Sequence, residues 1–261
     1  MFTSLEIGGG RVAGEAARGP LRLSLPAGPG RAYADAQLDD YHGRPPLRRA
    51  AGRARFADRP PTRLSLRARA SHPAPAGTLG FGFWNDPFTL TGGVLAAPRA
   101  VWFFYASPPS DMALVEGVPG WGWKAATLDA GRYPGLVLAP AALAAALLTR
   151  VPGLGAPVLA AARRLVRAHE AALTDVALTD WHTYEIDWRS EAAVFRVDGV
   201  ERLRAAAPPA GPLGCVIWID NQYAIASRAG RLAFGLCATR EAQWLEVDAL
   251  QLGDAAPLNP G

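Results

Sequence analysis

Most of the chain alternates apolar and polar residues with the two-residue period of a β-strand. The segment 21–25 (LRLSL) shows this pattern plainly, and the segment 63–70 (RLSLRARA) repeats it. Gly and Pro residues separate the runs, as in antiparallel sheets joined by turns. The other predicted strands are 33–41, 78–85, 100–106, 214–220, 231–238 and 244–252. The pattern predicts an all-β fold, a single sandwich or jelly-roll domain over residues 1–261.

One segment departs from this period and follows a helical one. Residues 141–148 are rich in Ala and Leu, and within 157–173 the apolar residues fall on one face of a helix with Arg around the other. A Gly/Pro-rich stretch separates the two, and Pro157 suits the first turn of a helix. We therefore expect a helical hairpin inserted at about 134–175. It could pack on the sandwich, cover a cleft, or contact a membrane surface or partner.

The stretch 181–201 (WHTYEIDWRSEAAVFRVDGVE) predicts a hairpin. Two alternating runs are joined by a short turn, and the second run leads into Asp198 and Gly199. Asp-Gly is among the dipeptides most favoured in tight hairpin turns. The stretch is therefore the strongest local prediction of antiparallel pairing in the chain.

Three predicted strands combine an apolar face with a face of aromatic and acidic residues. Trp84 and Asp86 share a face of one strand, and Trp218 and Asp220 repeat the Trp-x-Asp pattern on another. On the strand 33–41 the corresponding face carries Tyr33, Asp35, Gln37, Asp39 and Tyr41.

These second faces predict a ligand site. Aromatic rings stack on the C–H faces of sugars or on other flat or apolar ligands, and carboxylates accept hydrogen bonds from hydroxyl groups. Gly80 and Gly82, on the same face as Trp84, would let a ligand approach closely. The predicted ligand contacts are Trp84, Trp218, Tyr33, Tyr41, Asn85, Trp102, Tyr105, Asn221 and Tyr223.

Three aspartates are the candidates for acid–base chemistry: Asp39, Asp86 and Asp220. A carboxyl group serves as acid or base near neutral pH when burial raises its pKa. The alternative for the same residues is structural, with the Trp side chains packed between sheets and the Asp side chains capping turns.

The predicted hairpin resembles a segment of the family 16 glycoside hydrolases, the laminarinase and lichenase group. That family carries F-H-x-Y-x-x-x-W followed by a strand that ends in V-D-G. Two further segments, 77–87 (GTLGFGFWNDP) and 244–254 (WLEVDALQLGD), resemble the strand before the family's catalytic strand and its closing strand. The resemblance implies a concanavalin A-like jelly roll with a cleft on its concave face. The matching hairpin positions are Trp181, His182, Tyr184, Trp188, Val197, Asp198 and Gly199.

The resemblance also implies where catalytic carboxylates belong. The family's catalytic strand has the pattern E-x-D-x-x-E or E-x-D-x-E, and retaining glycosidases need two carboxyl groups about 5 Å apart. The expected place, residues 100–106 (AVWFFYA), contains no carboxylate. Asp111 and Glu116 follow shortly after, in a segment that looks like a loop. We therefore expect the family's fold without its usual catalytic pair.

Three functions stay open on these grounds. The first is binding of a glycan or other ligand on the concave face. The second is an enzyme that uses the aspartates named above, acting on a glycan or on an apolar metabolite under a helical lid. The third is an interaction module whose residues 157–173 contact a membrane surface or a partner.

Composition narrows the functional classes. The net charge is only +4, and the Arg residues are scattered without a basic stripe of interleaved aromatics, so we expect no nucleic-acid partner. The four His show no zinc spacing, and no phosphate loop or nucleophile elbow occurs. We expect no cofactor or metal, with one exception that the family resemblance raises. Relatives bind calcium through an aspartate of the last strand, a place that Asp248 would fill.

The first residues, MFTSLEIGGG, carry no basic n-region and no apolar h-region, and no apolar run reaches ~18 residues. These features favour a cytoplasmic protein. The excess of Ala, Arg, Gly and Pro over Lys, Asn and Ile is typical of a GC-rich bacterial genome.

Overall fold

The structure is a computed structural model that describes residues 2–14, 19–42, 56–87, 97–131, 156–158, 160–161, 166–227, 229 and 231–255. Strands dominate these residues, and a helical turn occurs at 156–158 and 160–161. Each of the eight predicted strands overlaps an observed strand, and the strand pairings within the two large sheets are antiparallel. The predicted all-β sandwich is therefore confirmed.

One seven-stranded sheet, here called sheet A, contains the strands that carry the candidate site. Its strands, in spatial order, are β1 (Thr3–Ile7), β4 (Asp35–Asp39), β13 (Gly214–Asp220), β6 (Thr78–Trp84), β7 (Arg99–Ala106), β8 (Gly122–Asp129) and β9 (Arg167–Ala172).

The second seven-stranded sheet, sheet B, contains the hairpin that carries the family resemblance. Its strands, in spatial order, are β12 (Val200–Ala206), β11 (Ala192–Val197), β10 (His182–Trp188), β5 (Thr62–Ala70), β16 (Gln243–Asp254), β3 (Leu21–Leu25) and β2 (Arg11–Ala13). A separate two-stranded hairpin consists of β14 (Gln222–Ala226) and β15 (Leu232–Leu236).

The main core lies between the two large sheets, where the inward half of each alternating pattern meets. Phe81 of β6 packs against Tyr184 of β10 with ring centroids 5.1 Å apart, and Phe103 of β7 packs against Phe195 of β11 at 5.3 Å. Each such side chain stabilises the fold by about 1.5–3 kcal/mol when it leaves water. This burial fixes which face of sheet A points outward.

The stretch 181–201 forms the predicted hairpin and then continues into a third strand. Asp198 and Gly199 join β11 to β12 with φ angles of 51° and 77°, as a two-residue turn with both φ positive requires. The Asp198 carboxylate accepts a hydrogen bond from the Thr183 backbone N–H (2.8 Å) and lies 2.6 Å from Nδ1 of His182. Tyr184 and Trp188 are buried in the core. These motif residues therefore build the scaffold rather than a site.

The predicted helix at 157–173 is wrong over its second half. Residues Arg167–Ala172 form strand β9, which pairs with β8 at the edge of sheet A. Backbone hydrogen bonds to β8 and the tertiary packing outweigh the high helix propensity of the Ala, Arg and Glu residues in this segment. Residues 156–158 and 160–161 are helical, while the predicted helix at 141–148 lies outside the described residues.

Among the described residues no helix is long and apolar enough to cross a membrane.

Candidate functional site

The strands of sheet A align their outward-pointing side chains in rows across the sheet. One row contains Gln37, Trp218, Gly80 and Phe104, and continues to Lys124 on β8. The next row contains Asp39, Val216, Gly82 and Trp102. Because neighbouring strands lie about 4.8 Å apart, aromatic side chains from β13 and β7 reach each other across the glycines of β6.

The glycine of the first row makes room for an indole ring. A Cβ atom on Gly80 would lie 2.7 Å from Cη2 of Trp218 and 2.3 Å from the backbone oxygen of Phe103. The sequence predicted that this glycine admits a ligand, but the space above it is filled by Trp218. The glycine thus lets the ring lie flat against the sheet.

Four rings form a contiguous cluster, here called the aromatic face: Trp84, Trp102, Phe104 and Trp218. Trp84 and Trp218 are nearly parallel, with centroids 6.3 Å apart and an interplanar angle of 5°. Trp102 and Phe104 are stacked at 5.2 Å, and Trp102 contacts Trp218 at 5.3 Å. Trp218 is 8% exposed, whereas the other three rings are partly exposed. The cluster thus lies outside the main core and presents ring surface to solvent.

A hydrogen-bonded network borders the aromatic face at one end. The Tyr41 hydroxyl accepts hydrogen bonds from Nε1 of Trp84 and from Nε2 of Gln37 (3.2 Å). Gln37 also donates to Oδ2 of Asp39 at 2.9 Å. Tyr41 is fully buried, so it supports the ring of Trp84 from behind instead of facing a ligand.

Asp39 belongs to this network and anchors a turn. Its Oδ1 accepts hydrogen bonds from the backbone N–H groups of Tyr41 (2.9 Å) and His42 (2.7 Å), and its Oδ2 lies 2.5 Å from Nδ1 of His42. Burial alone would raise the pKa of Asp39, but the hydrogen bonds from His42 and Gln37 outweigh it and hold the pKa below its usual value. An ionised, fully bonded carboxylate suits the turn-capping role better than that of a general acid.

The opposite end of the same strands holds a pair of carboxyl groups. Asp220 of β13 lies directly across from Asp35 of β4. Asp220 Oδ1 accepts hydrogen bonds from Oγ1 of Thr78 (2.8 Å) and from the Gln222 backbone N–H (2.9 Å). Thr78 in turn accepts a hydrogen bond from Nε1 of Trp218 at 2.9 Å, which links the pair to the aromatic face.

Burial shifts the acidity of this pair. Burial, followed by the charge of Asp220, raises the pKa of Asp35 to about 8. Burial raises the pKa of Asp220 to about 6, although hydrogen bonds from Gln222 and Thr78 act in the opposite direction. The phenol of Tyr33 has a raised pKa for the same reasons, burial first and then the charges of Asp220 and Asp35.

The three predicted acid–base residues therefore do not form one group. Asp39 and Asp35, at opposite ends of β4, are about 13 Å apart along the strand at 3.3 Å per residue. Asp220 pairs with Asp35 rather than with Asp39. Asp86 is buried just beyond the end of β6, with φ of 38°.

Two predicted ligand contacts instead hold backbone in place. Asn85 donates to the Ala97 carbonyl and accepts from the Arg99 N–H, both at 2.9 Å. Asn221 accepts a hydrogen bond from the Ala34 N–H at 2.9 Å. Both side chains are buried, so they shape loops at the strand ends.

The predicted tyrosines are dispersed. Tyr105 lies in the main core because Trp102 and Phe104 occupy the outward positions of β7. Tyr223 covers Gly235 within the β14–β15 hairpin, where a Cβ would come 2.5 Å from its hydroxyl. Only Tyr33 stands beside the carboxyl pair, where its phenol hydrogen-bonds the Asp35 side chain.

Sequence reasoning missed Phe104 and the Lys124–Glu170 ion pair on this face, and it placed Asp35 on the face without choosing it as an acid–base candidate. Phe104 lies two residues after Trp102, and Asp35 lies four residues before Asp39. The two-residue period of a strand therefore places each pair on one face, and the sequence alone contained this information. Lys124 is the only lysine in the chain, and its Nζ lies 3.2 Å from Oε1 of Glu170 on β9. That pair depended on β9, which the sequence did not predict as a strand.

The outer face of sheet B carries a different aromatic arrangement. Arg69 lies over the rings of Trp181 and Trp244, with its guanidinium carbon 4.9 Å and 5.4 Å from their centroids. Arg22 also lies over Trp244 and, like Arg69, binds Glu246. These tryptophans are covered by arginines, so they serve as natural controls for the aromatic face.

The structure describes no group of three or more His, Cys, Asp or Glu side chains that could hold a metal ion. Asp248, to which the family resemblance assigned calcium, lies 3.7 Å from Nη1 of Arg67.

No family model matches the chain, and no curated protein matches it. Solved structures do match, with low identity. A pseudo beta-1,3-glucanase of Mycobacterium tuberculosis is 12% identical over 91% of this chain and 75% of that one, with a TM-score of 0.45. A Bacteroides ovatus GH16 protein in complex with a product is 9% identical over 97% and 94%, with a TM-score of 0.48.

A legume lectin-like domain from Entamoeba histolytica is 9% identical over 98% of this chain and 90% of that one, with a TM-score of 0.49. The strand order and register of the two large antiparallel sheets define the fold of this chain.

Proposed function

We propose that the protein binds a glycan on the aromatic face of sheet A. The observation that carries this proposal is the cluster of four outward rings, three of them partly exposed, on a sheet whose other face fills the core. Aromatic rings offer flat apolar surface to the C–H faces of sugar rings, and the carboxyl pair at one end of the face can exchange hydrogen bonds with hydroxyl groups.

The composition of β7 supports binding ahead of retaining hydrolysis. Its outward positions hold Trp102 and Phe104, and the strand contains no carboxylate. By the family resemblance, this strand follows the 77–87 segment, where the catalytic pair of a family 16 enzyme belongs. Rings instead of carboxylates at these positions favour a surface that holds a sugar without attacking it.

A panel of oligosaccharides tests the proposal. We expect at least one to bind the wild type, and the double variant Trp84→Ala/Trp102→Ala to bind it at least about tenfold more weakly, a loss of ~1.4 kcal/mol. The matched control is Trp181→Ala/Trp244→Ala, which removes two rings from the outer face of sheet B and should bind like the wild type. Equal affinities in the two double variants, measured by titration calorimetry, would place the ligand elsewhere.

A second candidate function, acid–base catalysis, is favoured by the carboxyl pair at the end of the same face. Asp220 is connected through Thr78 to Trp218, so a ligand on the rings would lie near an acid whose pKa is about 6. Incubation of the bound glycan with wild type and with Asp220→Asn, followed by mass spectrometry, separates the two functions. A product formed only by the wild type would make the protein an enzyme.

The membrane or partner contact through residues 157–173 stays a prediction. It relied on one amphipathic helix, and within that segment residues Arg167–Ala172 form strand β9 instead.

A further inference from the structure

Asp35 and Asp220 are neighbours across β4 and β13, and both carboxyl groups are buried. They are directly opposite in register, a geometry that places Cβ atoms about 4.5–5.5 Å apart. Asp35 is 1% exposed and Asp220 is 9% exposed. Two carboxylates this close cannot both ionise readily, since each charge opposes the other and neither is well solvated.

One oxygen of the pair has no partner. Oδ2 of Asp35 is buried and makes no hydrogen bond within the described structure. Buried polar atoms in proteins are nearly always hydrogen-bonded, so an unpartnered one calls for an explanation. No Arg, Lys or His side chain among the described residues hydrogen-bonds either carboxyl group, so a neighbouring cation is not the missing partner of this oxygen. A proton on the carboxyl, donated to a bound ligand, would satisfy the oxygen.

We propose that Asp35 and Asp220 hold one proton between them at neutral pH and offer it as a hydrogen bond to a hydroxyl or carbonyl oxygen of a ligand on the aromatic face. The ligand part of this inference rests on the proposed function, whereas the shared proton does not. The link between the two is the chain of hydrogen bonds from Trp218 through Thr78 to Asp220.

Burial and two negative charges favour the protonated form of Asp35, and one hydrogen bond opposes it. The charge of Asp220 and, from the far end of β4, that of Asp39 raise the pKa of Asp35, whereas the hydrogen bond from the Tyr33 phenol lowers it. Cys237 lies close enough for Asp220 to affect its thiol, and from β1 the residue opposite Asp35 is the uncharged Ile7. Burial and the two charges outweigh the hydrogen bond and raise the pKa of Asp35 to about 8.

The sign of the pH dependence follows from this shift. A carboxyl group whose pKa is higher in the folded than in the unfolded protein binds its proton more tightly in the folded protein. It therefore favours the fold at low pH and opposes it once the pH is high enough to remove the proton. That stabilisation is lost as the pH rises from about 4, the unfolded value, through about 8. Asn at position 35 mimics the neutral acid and cannot lose a proton.

The test compares the urea midpoints of wild type and Asp35→Asn between about pH 5 and about pH 8.5. We expect the variant to gain stability relative to the wild type as the pH rises. Glu246→Gln on β16 is the control. Burial alone would raise the pKa of Glu246, but hydrogen bonds from Arg22 and Arg69 outweigh it and lower the pKa. Both arginines stay charged over this range, so the loss of stability should stay constant. A difference between Asp35→Asn and wild type that does not change with pH would overturn the shared proton.

A second measurement needs no variant. In wild-type protein labelled with ¹³C at the Asp carboxyl carbons, at least one resonance should titrate above about pH 5. Failure of every Asp resonance to titrate there would also overturn the proposal, even if Asp35→Asn did not fold.

The ligand arm follows the affinity of a glycan identified by the panel. We expect the affinity of the wild type to fall by about tenfold as the pH rises from about 6 to about 9, and that of Asp35→Asn to change much less. Binding that is independent of pH would refute the ligand contact while leaving the proposed function intact. If no glycan binds at any pH, the proposed function fails. The comparison of urea midpoints still tests whether Asp35 and Asp220 hold a shared proton.

Discussion

At the scale of single residues, the outer face of sheet A holds a buried ion pair beside its rings. The Lys124 side chain is 2% exposed and that of Glu170 is 6% exposed. Oε2 of Glu170 also accepts a hydrogen bond from the backbone N–H of Val115, so the pair ties the 111–121 loop to the sheet. Each charge is tolerated in this position only because the other is present.

Lys124→Met should therefore destabilise the protein by about 3–5 kcal/mol, because it leaves the carboxylate of Glu170 buried without its cation. The double variant Lys124→Met/Glu170→Met removes both charges and should recover more than half of that loss. Urea unfolding of the two variants measures the difference. A single variant that costs less than ~1 kcal/mol would mean that Glu170 reaches solvent.

Residue type and strand face were predictable for the acids of this sheet, but their chemistry was not. Asp35 and Asp39 share a strand and a face, yet burial against Asp220 raises the pKa of one and hydrogen bonds from His42 and Gln37 lower the pKa of the other. Gln37 lies on the same strand, but His42 comes from the turn after β4 and Asp220 from a strand far along the chain. The sequence therefore favoured Asp39, whereas the structure favours Asp35 with Asp220.

At the scale of elements, the two-residue period decided most of the fold. It predicted β5, which has one buried apolar side, and β13, which is buried on both sides. It failed at β9, whose sequence RAHEAA has few residues with a strong preference for strands. There the pairing with β8 decides the structure, and such pairing is visible only in three dimensions.

The turn between β11 and β12 gives a direct test at this scale. Gly199 has φ of 77°, and a Cβ atom added to it would meet no other atom within 4 Å, so Gly199→Ala isolates backbone strain. We expect a cost of about 1–2 kcal/mol in the free energy of unfolding.

The control for that variant is Gly253→Ala near the end of β16. This glycine is equally open, but its φ does not lie in the left-handed region, so the substitution should change stability by less than ~0.5 kcal/mol. Equal losses of stability at the two positions, measured by urea unfolding, would show that the positive φ of Gly199 is not what makes glycine favourable in this turn.

At the scale of the whole molecule, the sandwich has two outer faces of different character. The outer face of sheet B is charged, and its two tryptophans are covered by arginines. The outer face of sheet A has partly exposed rings between two polar ends. This asymmetry is the reason to assign ligand binding to sheet A. Trp84, Trp102 and Trp218 report on that face, and Trp181 and Trp244 report on the outer face of sheet B.

The most direct test is an NMR titration of protein labelled with ¹⁵N at the tryptophan indoles, using a glycan that binds. We expect saturating ligand to shift the indole resonances of Trp84, Trp102 and Trp218. The resonances of Trp181 and Trp244 on sheet B should stay in place. Shifts confined to the sheet B tryptophans, with the three indoles of the aromatic face unchanged, would contradict binding on sheet A.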